Sequence, residues 1–200
     1  MRTVRMRATA GLVLVTFAVA GCSTRGAPAR RASSLTATPV AQPQALPGPS
    51  SPSPVRVSVP QRAAVSYQNP TAVAEAAVIT SWTMTTGSDT SQYQAELRAA
   101  PFLTPAYLAA LKASPPVAAP GAQWTLWASR DAQTTVSAVP EAAGQPADTG
   151  TTADRQFGIT VTPHGDNGWT GAPVTATVFV TLARAGPGQP WLVSGIQVSQ

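Results

Sequence analysis

The chain has 200 residues, 44% of them hydrophobic and 10% charged, with a single cysteine and a single histidine. One thiol excludes an intramolecular disulfide framework and a thiolate metal cage, and one imidazole leaves acid–base chemistry to His164 or a carboxylate. The net charge of +5 is lopsided: eight of the thirteen basic residues precede position 66, where there is no acid, and residues 66–200 carry five basic against eight acidic side chains, a net −3. A folded part that is acidic removes the main support for nucleic-acid binding.

In chain order, the first segment reads MRTVRMRATAGLVLVTFAVAGC. Arg2, Arg5 and Arg7 precede fourteen uncharged, mostly apolar or small residues, Ala8 to Gly21. That is a charged region followed by an apolar core of secretory-signal length, shorter than the roughly 20 residues a membrane-spanning helix needs. Val19-Ala20-Gly21-Cys22 resembles a bacterial lipobox. The resemblance implies cleavage before Cys22 and a diacylglyceryl thioether on its sulfur, with two or three acyl chains that together make a stable anchor. Residues 1–21 are then a lipoprotein signal peptide, and the mature chain retains no free thiol.

Residues 22–65 hold Pro28, Pro39, Pro43, Pro47, Pro49, Pro52, Pro54 and Pro60 among Ser, Ala and Thr, with no aromatic residue and no acid. Such a composition cannot bury enough apolar surface to offset chain entropy, and it predicts a disordered tether. As a coil it spans about 35 Å, and as polyproline II about 130 Å.

From residue 66 to 200 the texture is that of one α+β domain. NPTAVAEAAVITSWTMTTG predicts a helix with Asn69 as cap, Pro70 at its first position and Gly87 as its stop, with Val73, Ala76, Ala77, Thr80 and Met84 as the buried stripe. TSQYQAELRAA predicts a shorter helix, and TPAYLAALKAS a third that Thr104 caps and Pro115-Pro116 ends. Beyond Pro120 the apolar period becomes two. QWTLWAS, QTTVSAV, DRQFGITVT, PVTATVFVTLAR and WLVSGIQVS each read as strands, with Gly195 marking a bulge in the last. Helices first and a meandering antiparallel sheet afterwards predict helices packed on one face of a curved sheet.

This order, together with the textures AVAEAAVITSW and FLTPAYLAAL and the closing Trp-led strand, resembles the nuclear transport factor 2-like superfamily of cone-shaped α+β domains. It is similar in particular to extracytoplasmic members in actinobacterial conjugation proteins and in membrane-associated partners of lipid-uptake systems. The resemblance implies a conical pocket that serves catalysis in some members, while others use the domain only as a scaffold.

Chemistry-bearing residues are few. His164 in TPHGDNGW lies in turn chemistry with Asp166 nearby, too few ligands for a metal. Tyr93 and Tyr107 sit on helices that can line a pocket, but no strand carries an acid at an inward position. Glu141, Asp148 and Asp154 are spaced too widely for a local Ca2+ cage. There is no Gly-x-Ser-x-Gly elbow and no phosphate-cradling loop. Trp124 and Trp127, three apart on the expected strand, face opposite sides, and Trp169, between glycines, is with His164 the candidate contact residue.

The sequence thus predicts a non-enzymatic protein without cofactor or metal, held at the extracytoplasmic face of the cell membrane by Cys22. Its partners are then the membrane, through the lipid, and a protein at the cell surface, with no nucleic acid. The resemblance implies a scaffold or accessory subunit of a membrane apparatus such as conjugative secretion. The alternative is a module that binds a lipid or other hydrophobic molecule in the pocket.

Overall fold

The computed structural model describes residues 57–141 and 144–199. The signal segment, Cys22 with its context Val19, Ala20 and Gly21, and the expected tether as far as residue 56 lie outside the described residues. Within them, no helix is long and apolar enough to cross a membrane.

Helix α1 (Pro70–Trp82) starts where its local chemistry says it should. Asn69 Oδ1 accepts the N–H groups of Thr71 at 2.9 Å and Ala72 at 3.3 Å, and Pro70 occupies the first turn, where no N–H is needed. Its end differs from the expected stop at Gly87. The hydroxyls of Thr80 and Thr83 donate to the carbonyls of Ala76 and Ile79, both at 2.7 Å, and Thr83 is already extended. Met84 then leaves the helix for the sheet, exchanging bonds with Thr134: its N–H reaches Thr134 Oγ1 at 2.8 Å, and its carbonyl accepts the Thr134 N–H at 2.9 Å. Tertiary pairing of a threonine-rich segment outcompetes one more helical turn.

Helix α2 (Gln92–Arg98) opens on a capping arrangement in which Gln94 Oε1 accepts the Ser91 N–H at 2.9 Å. Asp89, buried, fastens the preceding loop. It accepts the Thr85 N–H at 2.9 Å and pairs with Arg98, whose guanidinium also reaches the Thr83 carbonyl at 2.7 Å. Helix α3 (Pro105–Ala113) is capped by Thr104, whose hydroxyl accepts the Tyr107 N–H at 3.2 Å.

QWTLWAS, expected as a strand, is instead helix α4 (Ala122–Ala128), which follows the exposed proline-rich loop. Apolar residues at 124, 126 and 127 satisfy a helical spacing as well as an alternating one, so period alone does not separate the two. The helical form puts Trp124 and Trp127 on one face, with Trp127 buried, Trp124 half-buried and Leu126 exposed. The two tryptophans therefore share a side of the segment, not opposite sides.

Four strands follow: β1 (Gln133–Glu141), β2 (Thr152–His164), β3 (Val174–Ala183) and β4 (Leu192–Ser199), in one antiparallel meander of order β1-β2-β3-β4. In β2, Ala153, Phe157, Ile159, Val161 and Pro163 are buried and their neighbours are not, so the strand covers one face only. Register fixes the match: Phe157 lies opposite Val178, and Leu182 opposite Val193. The register between β3 and β4 slips by one residue after Thr181, which pairs with Gly195 while Leu182 pairs with Val193. That is the bulge expected at Gly195. Helix α1 packs on this inner face and supplies Val73, Ala77, Val78 and Trp82 to a single core, giving the α+β class expected from the element order.

Candidate functional site

Helices α1 to α4 do not fill the concave side of the sheet. A cleft of about 360 Å3, partly open to solvent, lies between α1, α4, the loop before α4 and the inner residues of β2 and β3. Its walls are apolar and aromatic: Trp82, Met84, Trp124, Trp127, Ile159 and Ala176. A second, smaller lobe of about 110 Å3 lies beside it between α2, α3 and β4, and Trp82, Gln92 and Val198 border both. The larger lobe reaches the volume at which small-molecule pockets begin, about 300 Å3.

The smaller lobe carries the polar groups. Gln92 and Glu96 lie one turn apart on α2, which brings both to the same lining. Burial raises the Glu96 carboxyl above its ordinary pKa. Tyr107, on α3, lines the same lobe. Burial raises its hydroxyl first, a backbone hydrogen bond at Ile196 pulls it down, and the charge of Glu96 pushes it up again. The carboxyl in this lobe can accept a hydrogen bond, hold a cation or take up a proton at a pH where an ordinary glutamate is ionised. An acid facing the pocket is therefore present, on a helix, although none was expected on the strands. Gln92 and Glu96 at a four-residue spacing were the available signal.

Of the two tyrosines expected at a pocket, Tyr107 is there. Tyr93 does not line the cleft and instead donates its hydroxyl to the Leu111 carbonyl at 3.4 Å, tying α2 to α3.

His164 ends β2 in the register of the outer face, opposite Gln133. Its Nε2 lies 3.0 Å from Thr135 Oγ1 and its Nδ1 3.4 Å from Thr170 Oγ1. Asp166 is not among these partners and gives its backbone N–H to the Arg130 carbonyl at 3.0 Å. Trp169 is half-buried against its own turn. A Cβ at Gly171 would lie 2.6 Å from its ring, one at Gly165 would lie 3.0 Å from it, and the Arg130 guanidinium sits 5.9 Å from the ring centroid. Gly171 is needed because the indole folds down onto it, and Gly165 because the Arg130 carbonyl would lie 2.5 Å from a Cβ there. The structure brings His164 and Trp169 to one end of the sheet and neither into the cleft.

In the acidic loop, Asp148 forms a two-pronged pair with Arg155, both contacts at 2.7 Å, and Arg155 Nε donates to Thr71 of α1 at 2.7 Å. The hydrogen bonds from Arg155 hold the Asp148 carboxyl below its ordinary pKa. Among the described residues no three of His, Cys, Asp and Glu come together as a metal would need.

No protein-family model matches the chain, and no curated protein sequence matches it. Among solved structures it is similar to an IcmL-like type IV secretion system protein from Legionella pneumophila, at a TM-score of 0.43 and 17% identity over 64% of this chain and 87% of that one. It is similar also to the periplasmic domain of DotI, at 0.43 and 17% over 64% and 90%. A third likeness is to the VirB8 protein of Agrobacterium tumefaciens, at 0.36 and 15% over 64% and 90%.

Proposed function

We propose that the chain is a lipoprotein anchored through Cys22 at the extracytoplasmic face of the cell membrane, and that its α+β domain is a non-enzymatic scaffold or accessory subunit of a membrane apparatus such as conjugative or type IV-like secretion. The observation that carries the reading is Val19-Ala20-Gly21-Cys22 standing directly behind three arginines and an apolar run. The proline-rich segment supports it, since a tether of that length raises the concentration of the domain near the membrane while leaving it reach toward a partner. The element order, which resembles that of extracytoplasmic conjugation proteins, supports an apparatus of the conjugative kind. Cells fed an alkyne fatty acid are expected to label the native chain and not the Cys22→Ser variant, which moves from the membrane to the soluble fraction. Gentle solubilisation followed by pull-down is expected to recover components of a membrane complex. Label retained by Cys22→Ser, or a pull-down empty of membrane-complex components, defeats the reading.

A second reading rests on a separate observation, the apolar cleft of about 360 Å3. In it the domain is a binding module for a hydrophobic small molecule, with Trp82, Trp124 and Trp127 as the contact surface. Apolar probes are then expected to shift tryptophan fluorescence saturably, and an absence of saturable binding rejects it.

A further inference from the structure

The two lobes of the cleft differ in what they offer a ligand. The larger is walled by aromatic and aliphatic side chains, whereas the smaller ends on the carboxyl of Glu96 beside Gln92 and Tyr107. Neither lobe is lined by Lys, Arg or His. Among the described residues the Glu96 carboxyl makes no salt bridge and no hydrogen bond to another residue, and it is the one charged side chain lining either lobe. A carboxylate that is partly withdrawn from water and lacks a protein partner loses hydration without compensation.

Resting on the second reading above, we propose that the cleft receives an apolar amine: its ammonium group sits in the smaller lobe against Glu96, and its hydrocarbon body lies in the tryptophan-lined lobe. The chemistry selects this class over its neighbours. A neutral apolar molecule fills the larger lobe and leaves Glu96 without a partner. An anionic amphiphile, such as a fatty acid, brings a second negative charge to the one negative charge present. An ammonium group supplies the missing charge, and its N–H donors meet the carboxylate and the Gln92 amide, while Trp82 borders both lobes. The larger lobe holds a body the size of a substituted ring or a short alkyl chain.

The test uses three water-soluble probes of one shape: cyclohexylmethylamine, cyclohexylmethanol and cyclohexanecarboxylate. They are titrated at neutral pH into the full lipidated chain on phospholipid vesicles, with tryptophan fluorescence as the readout and empty vesicles correcting for partitioning. In the native chain the amine is expected to bind about tenfold tighter than the alcohol, the scale of a charge-assisted hydrogen bond, and the carboxylate more weakly than the alcohol. In Glu96→Gln the amine and the alcohol are expected to bind within about twofold of each other, with the alcohol's own affinity unchanged. Amine and alcohol binding equally to the native chain overturns the proposal and leaves the hydrophobic-cleft reading standing. No saturable binding by any probe removes both. The ranking in the native chain stands apart from whether any variant folds.

Discussion

The two faces of the sheet are made by the same four strands and solve opposite problems. The inner face presents Phe157, Ile159, Val161, Val178, Val180, Leu182 and Val193, all buried under the helices. The outer face, one residue out of step, presents Thr135, Ser137, Thr160, Thr162, Thr175, Thr177 and Thr181, which β1, β2 and β3 set in neighbouring register, as with Thr160 opposite Thr175. Threonine is branched at Cβ like valine, so it keeps the strand conformation without adding apolar surface. Strand-forming tendency is thus shared between the faces, and only burial distinguishes them. The outer face is also short of charge, with Asp154, Glu141 and His164 near the strand ends and hydroxyls and amides between them. Two large apolar groups stand exposed on it, Phe179 at 43% and Val139 at 60%.

The sharpest way to break that contrast is to remove one phenyl ring from each face. Phe157 is fully buried and Phe179 is not. Phe157→Ala is expected to cost about 3–5 kcal/mol in urea denaturation, through lost burial and the cavity left behind. Phe179→Ala is expected to stay within about 1 kcal/mol of the native chain. Similar costs at both positions mean that the outer face is covered in solution.

A smaller effect is expected from the polar fastening beside the inner layer. Asp89→Ala leaves the Thr85 N–H and the Arg98 guanidinium without the acceptor they share. Leaving such donors unsatisfied costs about 1–3 kcal/mol. Because Asp89 holds the loop between α1 and α2, the loss is expected first as faster amide exchange at Thr85 and only then as a lower global stability. Unchanged exchange at Thr85 indicates that the loop is held by its backbone pairing to Ala132 alone.

How much of this was legible before folding depends on whether a signal is local. The starts of α1 and α3 are, because Asn69-Pro70 and Thr104-Pro105 each pair a side-chain acceptor with a residue that needs no N–H. The alternation of β2 and β3 is local too, since every second residue states its face. The end of α1 is not, because Met84 is taken from the helix by Thr134, fifty residues away. Helix α4 is not, because Trp124, Leu126 and Trp127 suit both periods, and the choice falls to which one puts the larger rings against the core. The cleft shows the same division. Its aromatic residues are visible in the sequence, but which of them meet is decided by packing, and Glu96 escapes a search for acids on strands because α2 delivers it.

Glu96 gives the smallest effect and the one whose sign is most informative. Burial raises its folded-state pKa above the ordinary 4.5, so the fold favours the protonated form. Its favourable contribution is therefore complete below about pH 4.5 and is lost as pH rises through the higher folded value. Asp148 runs the other way: Arg155 lowers its pKa, and its contribution, present above the ordinary 3.8, is lost as pH falls through the lower folded value. Both act at once in the native chain, so a single stability profile does not separate them, but the difference between native and Glu96→Gln does. The variant is expected to melt higher than the native chain at pH 7, with the gap closing as pH approaches 4.5 and absent below it. A gap of the opposite sign at pH 7 means that the ionised carboxylate already has a partner in the folded protein. That result would mean that a donor of the chain itself, such as the Gln92 amide or the Tyr107 hydroxyl, already meets the carboxylate where the amine is proposed, so the melting curves test the premise of the ligand proposal without any ligand being added.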